Sequence, residues 1–229
     1  DGGNRGSYRD SFYRYLNIGL RIPFSTGTDW FIDDFSRVYV PLRGKLTSEV
    51  WLKQLTAGRS FITNGPLLEF SVDGRAIGDT LQISAPQEVR VTARGIGRDD
   101  FQRLELIRNG QVIGSVSSIS EAGHFEATLE DSVLLDEPCW LAVRTPIENG
   151  PNDFGQTIYA HTSPVYVDFK GRRPFQTEVA LELIADIEAS LQVIREKAVF
   201  GNDAELQSVM DVYRNGILRL REKIQHHGR

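Results

Sequence analysis

A change of hydrophobic period constrains this chain more than any other feature. From Leu67 to about residue 170, short apolar runs are punctuated by turn dipeptides. Phe70-Ser71-Val72 stands before Asp73-Gly74, and Leu104-Glu105-Leu106-Ile107 before Asn109-Gly110. Val89-Arg90-Val91-Thr92, Gln111-Val112-Ile113, Phe125-Glu126-Ala127-Thr128-Leu129, Trp140-Leu141-Ala142-Val143, Thr157-Ile158-Tyr159-Ala160 and Val165-Tyr166-Val167 continue the series. Strands recurring roughly every 8 to 12 residues with such turns predict an antiparallel β-sandwich. Asn109-Gly110 is the clearest hairpin signal, because a type I′ turn needs positive φ at both central residues.

Beyond the polar linker Lys170 to Pro174 the period becomes three-four. Thr177, Ala180, Ile184, Ile187, Leu191, Ile194 and Ala198 mark one apolar seam, and Leu206, Met210, Tyr213, Ile217, Leu220 and Ile224 a second. Gly201 is placed to end the first helix, and Asn202 with Glu205 has capping-box spacing for the next, so an antiparallel hairpin is expected. Val179, Leu183, Val193, Val199, Val209, Val212 and Leu218 lie off the seams. Two helices cannot bury both sets, which points to docking on the sandwich or to a homodimer through the hairpin.

Ahead of Leu67 the pattern is mixed. Tyr8, Phe12, Tyr15 and Leu16 have helical spacing, with Ser7 as a candidate N-cap; Leu20 to Ser25 reads as extended and Arg37-Val38-Tyr39-Val40 as a strand. Thr47 or Ser48 caps a helix through Trp51, Leu52 and Leu55, stopped by Gly58, before Ser60-Phe61-Ile62-Thr63 returns to strand. Strand, helix, strand in that order suggests the edge of an α/β domain. The expected fold class is therefore α+β: an α/β barrel remnant over residues 1–66, an antiparallel β-sandwich over 67–170, and a linker with a C-terminal α-helical hairpin over 171–229.

Composition narrows the function. The 229 residues are 40% hydrophobic and 25% charged, which suits a globular chain, and the net charge of −5 comes without any basic run interleaved with aromatics. Nucleic acid is not an expected partner. No stretch is long and apolar enough for a membrane span and no signal peptide is visible, so the compartment stays open. The single cysteine, Cys139, lies in an apolar run and reads as a buried structural thiol.

Thr26-Gly27-Thr28-Asp29 is the most suggestive local motif. An Asp after a strand, beside a permissive Gly, can project a carboxylate into a barrel mouth and suits a divalent metal, although turn chemistry alone also explains it. The segments Phe12 to Pro23, Ser25 to Asp29, Arg37 to Val40, Gly58-Arg59-Ser60-Phe61-Ile62-Thr63-Asn64-Gly65-Pro66 and Ala160-His161-Thr162-Ser163-Pro164-Val165-Tyr166-Val167 together resemble the CehA/McbA-type metallohydrolases of the polymerase-and-histidinol-phosphatase (PHP) superfamily. The resemblance runs in order over residues 12–167 and does not reach the helical hairpin.

The resemblance implies the C-terminal part of a larger bacterial hydrolase. In such a protein a distorted barrel binds two or three divalent metals (zinc, manganese or iron), which activate water against a small ester or phosphoester substrate. Asp29 falls on the last metal-ligand motif, often Asp-x-His in the superfamily; the second position after it here is Phe31. The early His-x-His pair is absent, and His124, His161, His226 and His227 lie outside the barrel remnant. The fragment alone is expected to bind no catalytic metal and to be inactive.

Substrate-facing candidates are Trp30, Phe31, Asp33 and Asp34, which are either a substrate loop or a loop packed by its own aromatics, together with Asn64 and His161. Asn64 is also explained as part of a turn, and His161 as a strand-end residue, since no carboxylate is placed beside it in sequence. His226 and His227 suit the C-terminal end of a helix dipole. The rival to a hydrolase is a non-catalytic binding or oligomerisation module built on the sandwich and hairpin.

Overall fold

A computed structural model describes residues 11–27, 36–42, 44–152 and 155–227. The fold is mixed α+β, with two largely antiparallel sheets and a C-terminal helical pair. It divides into two compact units, residues 1–174 and 175–229.

The first unit opens with α1 (Tyr13–Asn17), β1 (Arg37–Tyr39), α2 (Ser48–Thr56) and β2 (Phe61–Thr63). The Thr47 side chain caps α2 by accepting from the Val50 N–H at 3.2 Å, and Gly58 ends it at φ 69°. The strand, helix, strand order is present, but β1 and β2 pair antiparallel, Val38 opposite Ile62, whereas an α/β crossover joins parallel strands. None of the α2 residues is buried.

The eleven remaining strands are β3 (Leu67–Val72), β4 (Arg75–Ala76), β5 (Thr80–Ile83), β6 (Gln87–Gly97), β7 (Arg103–Arg108), β8 (Gln111–Ser117), β9 (Ile119–Glu121), β10 (His124–Leu135), β11 (Cys139–Arg144), β12 (Ala160–Thr162) and β13 (Val165–Phe169). One sheet runs β4-β3-β6-β10-β9. The other runs β1-β2-β12-β11-β13-β5, with β7 also on β11 and β8 on β7; its β13–β5 pair is parallel. Neither sheet closes into a barrel among the described residues.

Turn chemistry sets the hairpins. Asn109 (φ 52°) and Gly110 (φ 91°) join β7 to β8, and Asp73 (φ 49°) and Gly74 (φ 74°) join β3 to β4, as the left-handed pair of a type I′ turn demands. The strand expected from Thr157 begins only at Ala160. Ahead of it the backbone bonds elsewhere: Ile158 N–H donates to Gly150 O, and Tyr159 N–H to the Asn64 side chain.

Burial explains why β11 reads as a continuous apolar run. All six of its residues are buried, and successive side chains point to opposite faces. Cys139, Leu141 and Val143 join a core to which both sheets contribute, including Val72, Val91, Leu104, Leu129, Leu135 and Val167. Trp140 and Ala142 belong instead to a second cluster with Phe12, Tyr13 and Leu16 around α1, beside Ile62, Ile107 and Tyr166. The larger sheet is therefore apolar on both faces where α1 covers it. Segment 20–27 follows α1 without regular structure, and Arg21 anchors it to Asp168 at 2.6 Å.

The stretch Lys170 to Pro174, expected as a polar linker, begins with a hydrogen-bonded turn. Lys170 N–H donates to Ile83 O at 2.7 Å, Phe169 and Arg172 exchange backbone bonds, and Gly171 has φ 72°. The second unit holds α3 (Thr177–Lys197) and α4 (Asp203–His227). Ala180, Ile184, Leu191, Met210, Ile217 and Leu220, all on the expected seams, are buried; so is Leu183, which was placed off them. Asn202 caps α4, with Glu205 N–H donating to Asn202 Oδ1 at 3.0 Å, while the Glu205 carboxylate accepts from the Asn202 side-chain amide at 3.2 Å. Gly201 does not end α3, which stops at Lys197; its N–H is instead taken by the Glu205 carboxylate.

Candidate functional site

The distant segments before residue 66 and after residue 157 meet at β2 and β12. Thr63 lies opposite Ala160, Ile62 opposite His161, and Phe61 opposite Thr162. Ser60 Oγ donates to Phe24 O at 3.1 Å and lies 3.3 Å from Ser163 Oγ. Thr26, three residues before Asp29, places its hydroxyl 3.2 Å from that of Tyr159.

A buried polar chain crosses this region. Arg144 and Glu105 stand directly opposite each other on β11 and β7, and Arg144 Nε donates to Glu105 Oε2 at 2.9 Å. Arg103 donates to the other carboxylate oxygen at 2.6 Å. Arg144 Nη1 donates to Tyr13 Oη at 3.1 Å, and Tyr13 Oη lies 2.7 Å from His161 Nε2. His161 Nδ1 lies 2.7 Å from the Thr162 carbonyl.

One proton arrangement satisfies the contacts just named. A carbonyl only accepts, so His161 carries its proton on Nδ1 and gives it to Thr162 O, leaving Nε2 to accept from the Tyr13 hydroxyl. Burial pushes the His161 pKa down to about 3, against the pull of the Thr162 carbonyl, and Arg144 lowers it further. The imidazole is neutral across the physiological range. Nearby, Asn17 Oδ1 accepts from Trp140 Nε1 at 2.8 Å, and Asn17 Nδ2 donates to Asn109 O at 3.3 Å.

The sequence candidates separate accordingly. His161 has no exposed surface and is ringed by Phe12, Tyr13 and Phe24, so its geometry is that of a buried tie between α1 and β12. Asn64 is buried too, donating to Thr157 O at 2.9 Å and accepting from Tyr159 N–H at 2.7 Å, which extends the β2–β12 pairing past its last ladder residue. Asp29, Trp30, Phe31, Asp33 and Asp34 lie outside the described residues. Tyr13, Glu105, Arg144, Trp140 and Asn17 went unmarked in the sequence reading. For Glu105 and Arg144 the signal was a charge set in an apolar run, Glu105 between Leu104 and Leu106 and Arg144 directly after Leu141-Ala142-Val143.

Among the described residues no three His, Cys, Asp or Glu side chains come together as a metal site. They do not by themselves fit a divalent metal. Nor is any helix among them long and apolar enough to cross a membrane. The outer face of β3, β6 and β10 holds a shallow cavity of about 270 Å³ in which Ser71, Thr92, Arg94 and Glu130 already pair. Ser71 and Thr92 hydroxyls lie 2.7 Å apart, and Arg94 grips Glu126 through two bonds that hold its carboxyl down to about 2. Cys139 is sealed, its thiol pushed up to about 12 by burial.

No protein-family model, curated protein or solved structure matches the chain.

Proposed function

We propose that the chain is the C-terminal part of a CehA/McbA-type metal-dependent hydrolase of small carboxylic esters or phosphoesters. In this reading residues 1–66 are the end of an α/β barrel and the two sheets form a β-sandwich beside it. Asp29 is a metal ligand of the intact protein for zinc, manganese or iron, and Trp30, Phe31, Asp33 and Asp34 border the substrate. Asn64 and His161 hold the frame. The supporting observation is that segments 12–23, 37–40, 58–66 and 160–167, which carry the resemblance, converge on one another through α1, β1, β2 and β12 although up to 148 residues separate the paired side chains.

Hydrolysis assays test it. Residues 1–229 with added Mn²⁺ or Zn²⁺ should turn over neither p-nitrophenyl phosphate nor p-nitrophenyl acetate, since one carboxylate does not hold a catalytic metal against water. The native gene product, if it carries a His-x-His pair upstream, should show metal-dependent turnover that Asp29→Ala removes. Full activity in that variant would overturn the role of Asp29, and absence of the upstream histidines would overturn the hydrolase reading.

The alternative is a binding or oligomerisation module. It is favoured by the exposed Val193, Val199, Val212 and Leu218 of the hairpin, apolar side chains available to a second copy.

A further inference from the structure

The guanidinium of Arg144 is only partly used by the buried chain. Nε donates to Glu105 and Nη1 to Tyr13, which leaves Nη2 outside the buried chain. The same side chain lines a cavity of about 330 Å³ together with Arg103, Glu105, Val112, Ile147 and Glu148. An arginine that lines a cavity can make a charge-assisted bond to an anion held there.

Charge and shape narrow the ligand. Arg103 and Arg144 share a single carboxylate, Glu105, so the inner end of the cavity has a surplus positive charge. Val112 and Ile147 supply apolar wall, and the exposed Glu148 is a second carboxylate on the lining. Cavities of this size sit at the lower end of small-molecule sites, roughly 300–1,000 Å³. A carboxylate meeting Arg144 and Arg103, carried on a short aliphatic chain against Val112 and Ile147, matches each group.

We propose that this cavity binds a short-chain aliphatic carboxylate, with Arg144 Nη2 and Arg103 as the anion donors. Both a simple fatty acid and an α-amino acid carry this chemistry, and Glu148 separates them: it repels the first weakly and pairs with the ammonium of the second. The site is distinct from the Asp29 motif and does not depend on the hydrolase reading.

Backbone amide NMR of the whole chain, titrated with sodium butyrate, norvaline and n-butylamine, tests it. Butyrate or norvaline should shift amides of β7, of Val112 and of residues 144–148, and butylamine should not. Tighter binding of norvaline, lost in Glu148→Gln, assigns the amino-acid source; tighter binding of butyrate assigns the other. Arg103→Ala, at a partly exposed position that leaves the Arg144–Glu105 pair in place, should weaken binding roughly tenfold or more. Ile147→Trp should block it by filling the cavity. Failure of both carboxylates to bind up to tens of millimolar, shifts confined to another region, or unchanged affinity in both variants would overturn the proposal.

Discussion

Tyr13 Oη and His161 Nε2 lie 2.7 Å apart across 148 residues of chain, and this bond ties the first helix to the sheet through groups that water does not reach. Tyr13 also accepts from Arg144, so a single hydroxyl bridges a cation and a neutral imidazole. Tyr13→Phe keeps the ring against Trp140 but withdraws the acceptor from a buried guanidinium and the donor from a buried ring nitrogen. A loss of about 1–3 kcal/mol in urea unfolding is expected. A change under about 0.5 kcal/mol would show that the bond adds little to folding.

The same contact predicts acid sensitivity. His161 is held neutral in the fold, with a pKa of about 3 against an ordinary value of 6.5. A depressed folded pKa means that the unfolded chain binds the proton first. Its contribution is therefore complete above about pH 6.5, and falls by about 1.4 kcal/mol per pH unit between there and about pH 3. His161→Gln should flatten this part of the stability profile even if it lowers the plateau. An equally steep decline in that variant would assign the acid sensitivity to other groups.

Parts of both units were legible where local chemistry and tertiary demand agree. Asn109-Gly110 and Asp73-Gly74 carry their turn geometry in two residues each, and the Asn202 cap on the Glu205 N–H starts α4 where expected. What the sequence hid were partners set by register. Nothing local says that β12 lies between β2 and β11, or that β7 pairs with β11; the first placement brings His161 to Tyr13 and the second sets Arg144 opposite Glu105. His161 could be weighed only by its chain neighbours, and its partners come from α1 and from a backbone carbonyl. The end of α3 was misplaced because Gly201 was judged by its freedom at a helix end, whereas its N–H serves the cap of the next helix. The Asp29 motif lies outside the described residues and is tested by chemistry instead.

Cys139 offers a simple probe of core integrity. Its thiol is fully buried, and burial pushes its pKa to about 12, so almost no thiolate exists at pH 8. The native chain should resist thiol-specific disulfide reagents until denaturant is added, then react with one equivalent. Rapid reaction without denaturant would show that β11 opens locally.

Two glycines should respond oppositely to a methyl group. Gly216 lies within α4, and a methyl there would meet Ile187 Cδ1 at 3.7 Å, an ordinary packing distance. Gly216→Ala should raise the stability of the hairpin by about 1 kcal/mol, since alanine restricts the unfolded chain and favours helix. Gly78 has φ 80°, and a methyl there would come within 2.6 Å of the Gly58 carbonyl oxygen. Gly78→Ala should cost about 1–3 kcal/mol. Thermal unfolding of the two variants beside the parent reads both signs, and a destabilised Gly216→Ala would show that the α3–α4 contact is tighter than the structure has it.

The hairpin carries the last prediction. Val193, Val199, Val212 and Leu218 are 51%, 96%, 70% and 54% exposed, and all four lie off the seams that α3 and α4 bury. Single exposed apolar residues are ordinary on a protein surface, but Val193, Val212 and Leu218 on one pair of helices, with Leu181 at 54% and Val199 in the connection, leave apolar area that a second hairpin would cover. A four-helix arrangement of two copies gives each such face a partner without disturbing either seam. Sedimentation of the full chain should therefore show a dimer at micromolar concentration, converted to monomer by deletion of residues 175–229. The double variant Val193→Lys, Val212→Lys should reproduce the deletion while leaving helix content unchanged, because both side chains project from exposed positions. A monomer at every concentration, or a dimer that survives the deletion, would remove the hairpin as the assembly element.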